Sequence, residues 1–142
     1  MPKRDLYNNL KAYSTLAPDT RGGDANGAAI DLRGSDSAMI IVSVGTEGDT
    51  LGSGVTIAVE LQHSDDGTTW ADVSGKDVQG SDDATLVEYN NNNQIPAISQ
   101  FGYVGYKRYL RAKWAPTGSQ STGTEGSVVV VLGNLRQRPA RA

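Results

Sequence analysis

The sequence predicts an all-β fold: an antiparallel β-sandwich, jelly-roll-like, with an extended N-terminal arm and a short basic C-terminal tail. Three observations predict it. Residues 55–63 alternate, with Val55, Ile57, Val59 and Leu61 on one face and Thr56, Ala58, Glu60 and Gln62 on the other, the period of a half-buried strand. β-Branched runs stand at Ala38–Val44 and Ser127–Leu132. Seventeen glycines, with Asp, Ser, Thr and Asn, punctuate nearly every segment, which is the turn chemistry of many short strands and leaves little room for long helices.

Length and composition set the frame. A chain of 142 residues can bury roughly two-thirds of its unfolded surface around one core. It has no cysteine, which removes disulfides and thiolate chemistry. Nothing behind Lys3 and Arg4 reads as an apolar export signal, and no run of about 18 apolar residues occurs, so a soluble, non-exported protein is expected.

The elements follow in order. Residues 1–27 scatter Leu6, Tyr7, Leu10, Tyr13 and Leu16 among polar residues before Pro18 and Arg21-Gly22-Gly23-Asp24. This segment reads as an arm and loop whose apolar residues need a partner surface, or as a terminal segment packing on its own domain. The sandwich is expected over 28–135, starting with a short strand at Ala29–Leu32. Ser64-Asp65-Asp66-Gly67-Thr68 is a hairpin turn returning Thr69–Val73 onto the preceding strand. Gly75–Ala84 reads as loop, Thr85–Tyr89 as strand and Asn90–Asn93 as an exposed tip. Ile95, Ile98, Phe101 and Tyr103 are expected to return to the core. Tyr106–Trp114 alternates again, with Lys107, Tyr109, Arg111 and Lys113 on one conspicuously basic face. Pro116–Gly126 reads as loop, and Val128–Leu132 as a strand buried on both faces or covered by a neighbour. Residues 136–142 form the basic tail.

The net charge of −3 is unevenly distributed: residues 31–105 carry twelve acids and two bases, whereas 106–142 carry seven bases and one acid. Two unlike surfaces are one expectation from this pattern. Catalytic chemistry finds little support. His63 is the single histidine, no Gly-x-Ser-x-Gly elbow is present, and Asp65-Asp66 and Asp82-Asp83 lack the spacing of a calcium loop. No catalytic residue, metal site or cofactor is expected. Lys107, Arg108, Arg111 and Lys113 with Tyr106 and Tyr109 have the make-up of a nucleic-acid surface, but the acidic block opposes phosphate. Docking onto an acidic protein surface is therefore expected instead, with no direct nucleic-acid contact and no membrane. Ser64-Asp65-Asp66-Gly67-Thr68-Thr69-Trp70 is similar to the Asp-box hairpin of sialidase-like propellers, one residue short and present once, a structural motif even there. An alternative reading is a glycan-binding, adhesin-like sandwich using Trp70, Trp114, Tyr103 or Tyr106 as platforms.

The polar N-terminal segment, the hairpin His63–Trp70, the strand Lys107-Arg108-Tyr109-Leu110-Arg111-Ala112 and the Gly/Ser/Thr loop before Val128–Gly133 together resemble capsid cement (decoration) proteins of tailed bacteriophages. The resemblance implies a β-sandwich that assembles as a dimer or trimer on the outer surface of a virion head. There it bridges major capsid protein subunits after assembly in the host cytoplasm, without catalysis. The contact residues expected on this reading are Leu6, Tyr7, Leu10, Tyr13, Lys107, Arg111, Lys113, Arg136 and Arg138.

Overall fold

The computed structural model describes residues 4–46 and 48–137. Its strands, in chain order, are β1 (Lys11–Arg21), β2 (Ala25–Asn26), β3 (Ile30–Asp31), β4 (Ser35–Val44), β5 (Thr56–Ser64), β6 (Ala71–Asp72), β7 (Val78–Gln79), β8 (Thr85–Tyr89), β9 (Ala97–Tyr103), β10 (Tyr109–Thr117) and β11 (Thr124–Leu135). A front sheet runs β1-β11-β4-β9-β7; a back sheet runs β2-β10-β5-β6, with β3 also on β10 and β8 also on β5. No helix among the described residues is long and apolar enough to cross a membrane.

The pairing is nested. β1 pairs with β11, β2 and β3 with β10, β4 with β9, and β5 with β8, all antiparallel. The chain is one long hairpin folded back on itself, and it is rolled so that β1, β4, β9 and β11 form one sheet and β2, β3, β5, β8 and β10 the other. That is a jelly roll. Cross pairs β11–β4 and β10–β5 then zip each sheet shut.

Alternation supplies the core. Ile40, Val42, Val128 and Val130 from the front sheet meet Ile57, Val59, Leu61, Leu110, Ala112 and Trp114 from the back sheet, all fully buried. Trp114 needs room opposite it, and β11 provides it as Gly126: a Cβ there would lie 2.5 Å from Cζ3 and 2.6 Å from Cη2 of the indole. Glycine inside a strand marks such close approach.

Several boundaries differ from expectation. The arm was expected over 1–27, yet Lys11–Arg21 is an edge strand paired along β11 and buries Thr15 and Leu16. Its signal is hidden because two register shifts, between Ser14 and Leu16 and between Leu16 and Asp19, break the alternation. The expected loop 116–126 is shorter, since β10 continues to Thr117 and β11 begins at Thr124. Ile98 is 74% exposed rather than in the core: β9 alternates, and Phe101 and Tyr103 face inward while Ile98 faces out. The hairpin after β5 forms as expected, with Gln62 opposite Asp72 and His63 opposite Ala71. Asp66 holds it, its carboxylate accepting from Ser64 Oγ and from the Thr68 and Thr69 N–H groups, each at 2.9 Å. Those bonds hold its carboxyl far below the usual carboxylate range.

Candidate docking end and outer faces

The nested topology gathers distant segments at one end of the sandwich. There the loop 32–34 after β3 meets the start of β4, the end of β9, the loop 104–108 and Arg136 beyond β11. Together they line a groove of about 720 Å³. Lys11 sits opposite Leu132, so the N-terminal segment arrives at this same end. It is a compact turn rather than an extended arm: Leu6 O accepts from the Asn9 and Leu10 N–H groups at 3.1 and 3.0 Å, and Asp5 accepts from the Asn8 N–H and side chain at 3.0 and 2.9 Å. Leu10 lies over Gly133, where a Cβ would stand 3.3 Å from it. Leu6, Tyr7, Val104 and Tyr106 are exposed, Tyr106 wholly so.

Four cations line this groove, and carboxylates answer three of them. Lys107 Nζ lies 2.6 Å from Asp65, Arg108 binds Asp31 with two nitrogens at 2.9 and 3.1 Å, and Arg136 lies 3.0 Å from Asp36. Arg33 has no ion-pair partner among the described residues. The separation of charge along the sequence does not become two faces in space, because antiparallel nesting sets the basic strand against the acidic segments. Such exposed pairs contribute little to stability and leave a groove close to neutral.

The expected contact residues therefore divide. Lys107 and Arg136 line the groove, while Leu10 packs beside Gly133 with Leu6 and Tyr7 in the turn before it. Tyr13, opposite Val130 along the β1 edge, stands under the Lys11 ammonium at 5.5 Å. Arg111 and Lys113 instead face outward from the back sheet, opposite Gln62 and Glu60. Arg111 Nε donates to Gln62 Oε1 at 2.9 Å, and its guanidinium lies 4.3 Å from the Trp70 ring centre. Arg138 lies outside the described residues. The aromatic platforms named for a glycan site are largely committed elsewhere: Trp114 and Tyr103 are buried in the core and Trp70 is half-covered by Arg111.

His63 serves the end structurally. It is buried, and its Nδ1 sits 2.9 Å from the Tyr103 hydroxyl, which accepts the Lys107 N–H at 3.2 Å. The hydroxyl proton is then available to Nδ1. Burial, aided by the Lys107 charge, pushes the His63 pKa down, while burial pushes the Tyr103 hydroxyl up. A depressed histidine means that the folded chain holds fewer protons than the unfolded chain below about pH 6.5. Its contribution is fully present above that pH and is lost as pH falls toward the folded value. Urea midpoints of the wild type are expected to drop between about pH 7 and pH 5, with a shallower drop in His63→Gln; parallel slopes would contradict the assignment. Among the described residues no group of three or more His, Asp or Glu side chains is placed to hold a metal ion.

Sequence reading missed one surface, the outer face of the front sheet. Ala12, Val131, Met39 and Gly102 stand in one cross-strand row, Ser14, Val129, Ile41 and Gln100 in the next, and Ser127, Ser43 and Ile98 in a third. None of these eleven residues is charged. The back sheet's outer face, by contrast, carries Arg111, Lys113 and Glu60. The available signal was Val128–Val131, apolar in both parities.

No family model matches the sequence, and no curated protein matches it. Among solved structures, the chain is similar to the SPBc2 prophage-derived protein YomS, at 8% identity over 87% of this chain and 92% of that one, with a TM-score of 0.43. It is similar to FLHE at 12% identity over 91% of this chain and 99% of that one, with a TM-score of 0.33. A structure of infectious bursal disease virus Gt strain is similar at 16% identity over 98% of this chain but 39% of that one, with a TM-score of 0.32. Likenesses at this level assign no role to the chain.

Proposed function

We propose that this protein is a non-enzymatic structural component of a tailed-phage virion that attaches to the outside of the head and bridges major capsid protein subunits. One observation carries the reading. The end of the jelly roll exposes Val104 and Tyr106 in a groove that Arg33, Lys107, Arg108 and Arg136 also line. Tyr106, wholly exposed on a folded domain, is suited to fill a partner's pocket, and Tyr and Arg are residue types enriched at interface hot spots. The groove's uncommitted cation is Arg33, so the surface that fits offers apolar side chains and a carboxylate to meet it. The resemblance of the hairpin and the basic strand to decoration proteins supplies the viral context. Several copies attached to one lattice gain through effective concentration, provided their geometry lets them engage together.

Cosedimentation with capsids tests it. Tyr106→Ala is expected to weaken attachment by at least about 30-fold, the effect of losing an interface hot spot of about 2 kcal/mol. Its thermal midpoint should not move, because the side chain packs on nothing. Lys113→Ala, on the back sheet, should attach like the wild type. Failure of the wild-type protein to bind capsids at low salt would end the proposal, as would equal losses in the two variants.

A further inference from the structure

We infer that His63 is a proton sensor for the docking end: the buried Tyr103 hydroxyl ties its ring to the loop 104–108, so that protonating the ring releases the loop that presents Tyr106. This rests on the docking end being the attachment surface and adds its regulation. The loop is wrapped over one atom. Gly105 lies so close above Tyr103 that a Cβ would stand 2.5 Å from the hydroxyl oxygen and 2.7 Å from Cζ, and the Lys107 N–H donates to the same oxygen at 3.2 Å. Before this stretch the Val104 N–H is fixed to Asp77 O at 2.8 Å, and after it Arg108 O accepts the Leu32 N–H at 2.8 Å. Between those anchors, the bond from Lys107 to the Tyr103 hydroxyl is the one backbone hold among the described residues. The Lys107 side chain reaches Asp65, but a solvent-exposed ion pair holds a loop weakly.

The number of protons at the hydroxyl decides whether that hold survives. A phenol has one proton to give. With His63 neutral, that proton can point to Nδ1 at 2.9 Å, and the oxygen is left to accept from Lys107. An imidazolium donates from both nitrogens, so Nδ1–H then points at the same oxygen. The phenol proton must turn away, toward the side from which Gly105 and the Lys107 N–H approach. His63 and Tyr103 are only 8% and 4% exposed, and a buried donor left unpaired carries its full desolvation penalty. Opening the loop admits water to that proton. The charges that face the ring are few. Lys107 in the loop opposes protonation, Asp77 in the turn before β7 and Asp65 in the hairpin favour it, and β10 and β6 set the uncharged Leu110 and Ala71 opposite. Burial is the largest influence and acts with Lys107, so the ring is neutral at pH 7 and charges only as pH falls below the ordinary histidine value of about 6.5.

Two-dimensional NMR of the whole chain between about pH 7 and pH 5 tests the coupling without a capsid. The Tyr106 and Lys107 amide signals are expected to move with the same midpoint as the His63 ring. In His63→Gln, which keeps an acceptor for the hydroxyl but does not titrate, that movement should vanish. In Tyr103→Phe the ring should still titrate while the loop signals no longer follow it. Loop signals that ignore the His63 midpoint in the wild type overturn the inference, as do loop signals that follow it unchanged in Tyr103→Phe. On capsids, docking that requires the neutral ring weakens by up to about tenfold for each pH unit below that midpoint, read as wild type relative to His63→Gln so that changes in the capsid cancel. Parallel pH profiles for the two, with good docking at pH 7, also overturn it. A wild type that docks at no pH, with loop signals still following His63, overturns the proposed function alone.

Discussion

Gly126→Ala is expected to cost about 2–3 kcal/mol, the range of overpacking a filled core, and Trp114→Phe in the same chain is expected to return part of it. The added methyl would occupy space already held by Cζ3 and Cη2 of Trp114. The indole cannot step aside, because it is fully buried between the sheets. Phenylalanine is shorter and lacks those two atoms. It also lacks the indole N–H, which is buried without a hydrogen-bond partner, so Trp114→Phe alone leaves a cavity but removes an unsatisfied donor. Those opposed effects make its cost modest, about 1–2 kcal/mol. Urea unfolding of the wild type, both singles and the double gives the coupling. A double variant at least about 1 kcal/mol more stable than the sum predicts is expected for residues in contact; strict additivity would show that the two positions do not share that space.

The same pair explains part of what was legible. Wherever a strand alternates cleanly its inner face could be read from the residues: Ile57, Val59 and Leu61 are buried in β5, and Leu110, Ala112 and Trp114 in β10. The hairpin at Asp65–Gly67 was legible because local chemistry sets it, with Gly67 at φ 78° and Asp66 capping the turn. Gly126 was not. A glycine beside other turn residues reads as loop, and only the position of Trp114 in the opposite sheet makes it a strand residue.

The candidate site was legible in its parts and not in its arrangement. Tyr106, Lys107 and Arg108 follow one another in sequence, but Leu6, Arg33 and Arg136 join them only through nesting, which no local pattern encodes. Charge misled for the same reason. The basic strand lies beside β3 and β5, so Arg108 and Lys107 find Asp31 and Asp65, and the net asymmetry of the sequence closes into pairs. The apolar outer face of the front sheet was foreshadowed only by the double parity of Val128–Val131, which a single strand cannot distinguish from burial between two layers of its own domain.

Thr15→Val is expected to cost about 1–3 kcal/mol, because it orphans the buried Ala112 N–H and also removes the part-buried bond to Ala28 O, whereas Thr15→Ser should cost under about 1 kcal/mol since the bonding hydroxyl is kept. Thr15 sits at the register shift of β1, where the chain leaves the regular ladder with β11. On the back sheet, β2 covers β10 at Lys113 and Trp114 and β3 covers it at Tyr109 and Leu110, which leaves Ala112 facing the gap between them. Thr15 reaches into that gap. Its hydroxyl accepts the Ala112 N–H at 3.1 Å and donates to Ala28 O at 2.8 Å, and its own carbonyl accepts the Ala28 N–H at 2.6 Å. One buried threonine thus ties the edge of the front sheet to the centre of the back sheet, and Gly27 is glycine because a Cβ would strike that hydroxyl. Hydrogen exchange gives the local check: the Ala112 amide should lose protection in Thr15→Val and keep it in Thr15→Ser. Equal costs for the two substitutions would show that the hydroxyl does not carry the junction. The consequence for function is direct. Deleting residues 1–18 would strip β1 from β11 and open this junction, so loss of capsid attachment by that deletion would report unfolding; removing only the residues before Leu10 leaves the junction whole and tests Leu6 and Tyr7 as contacts.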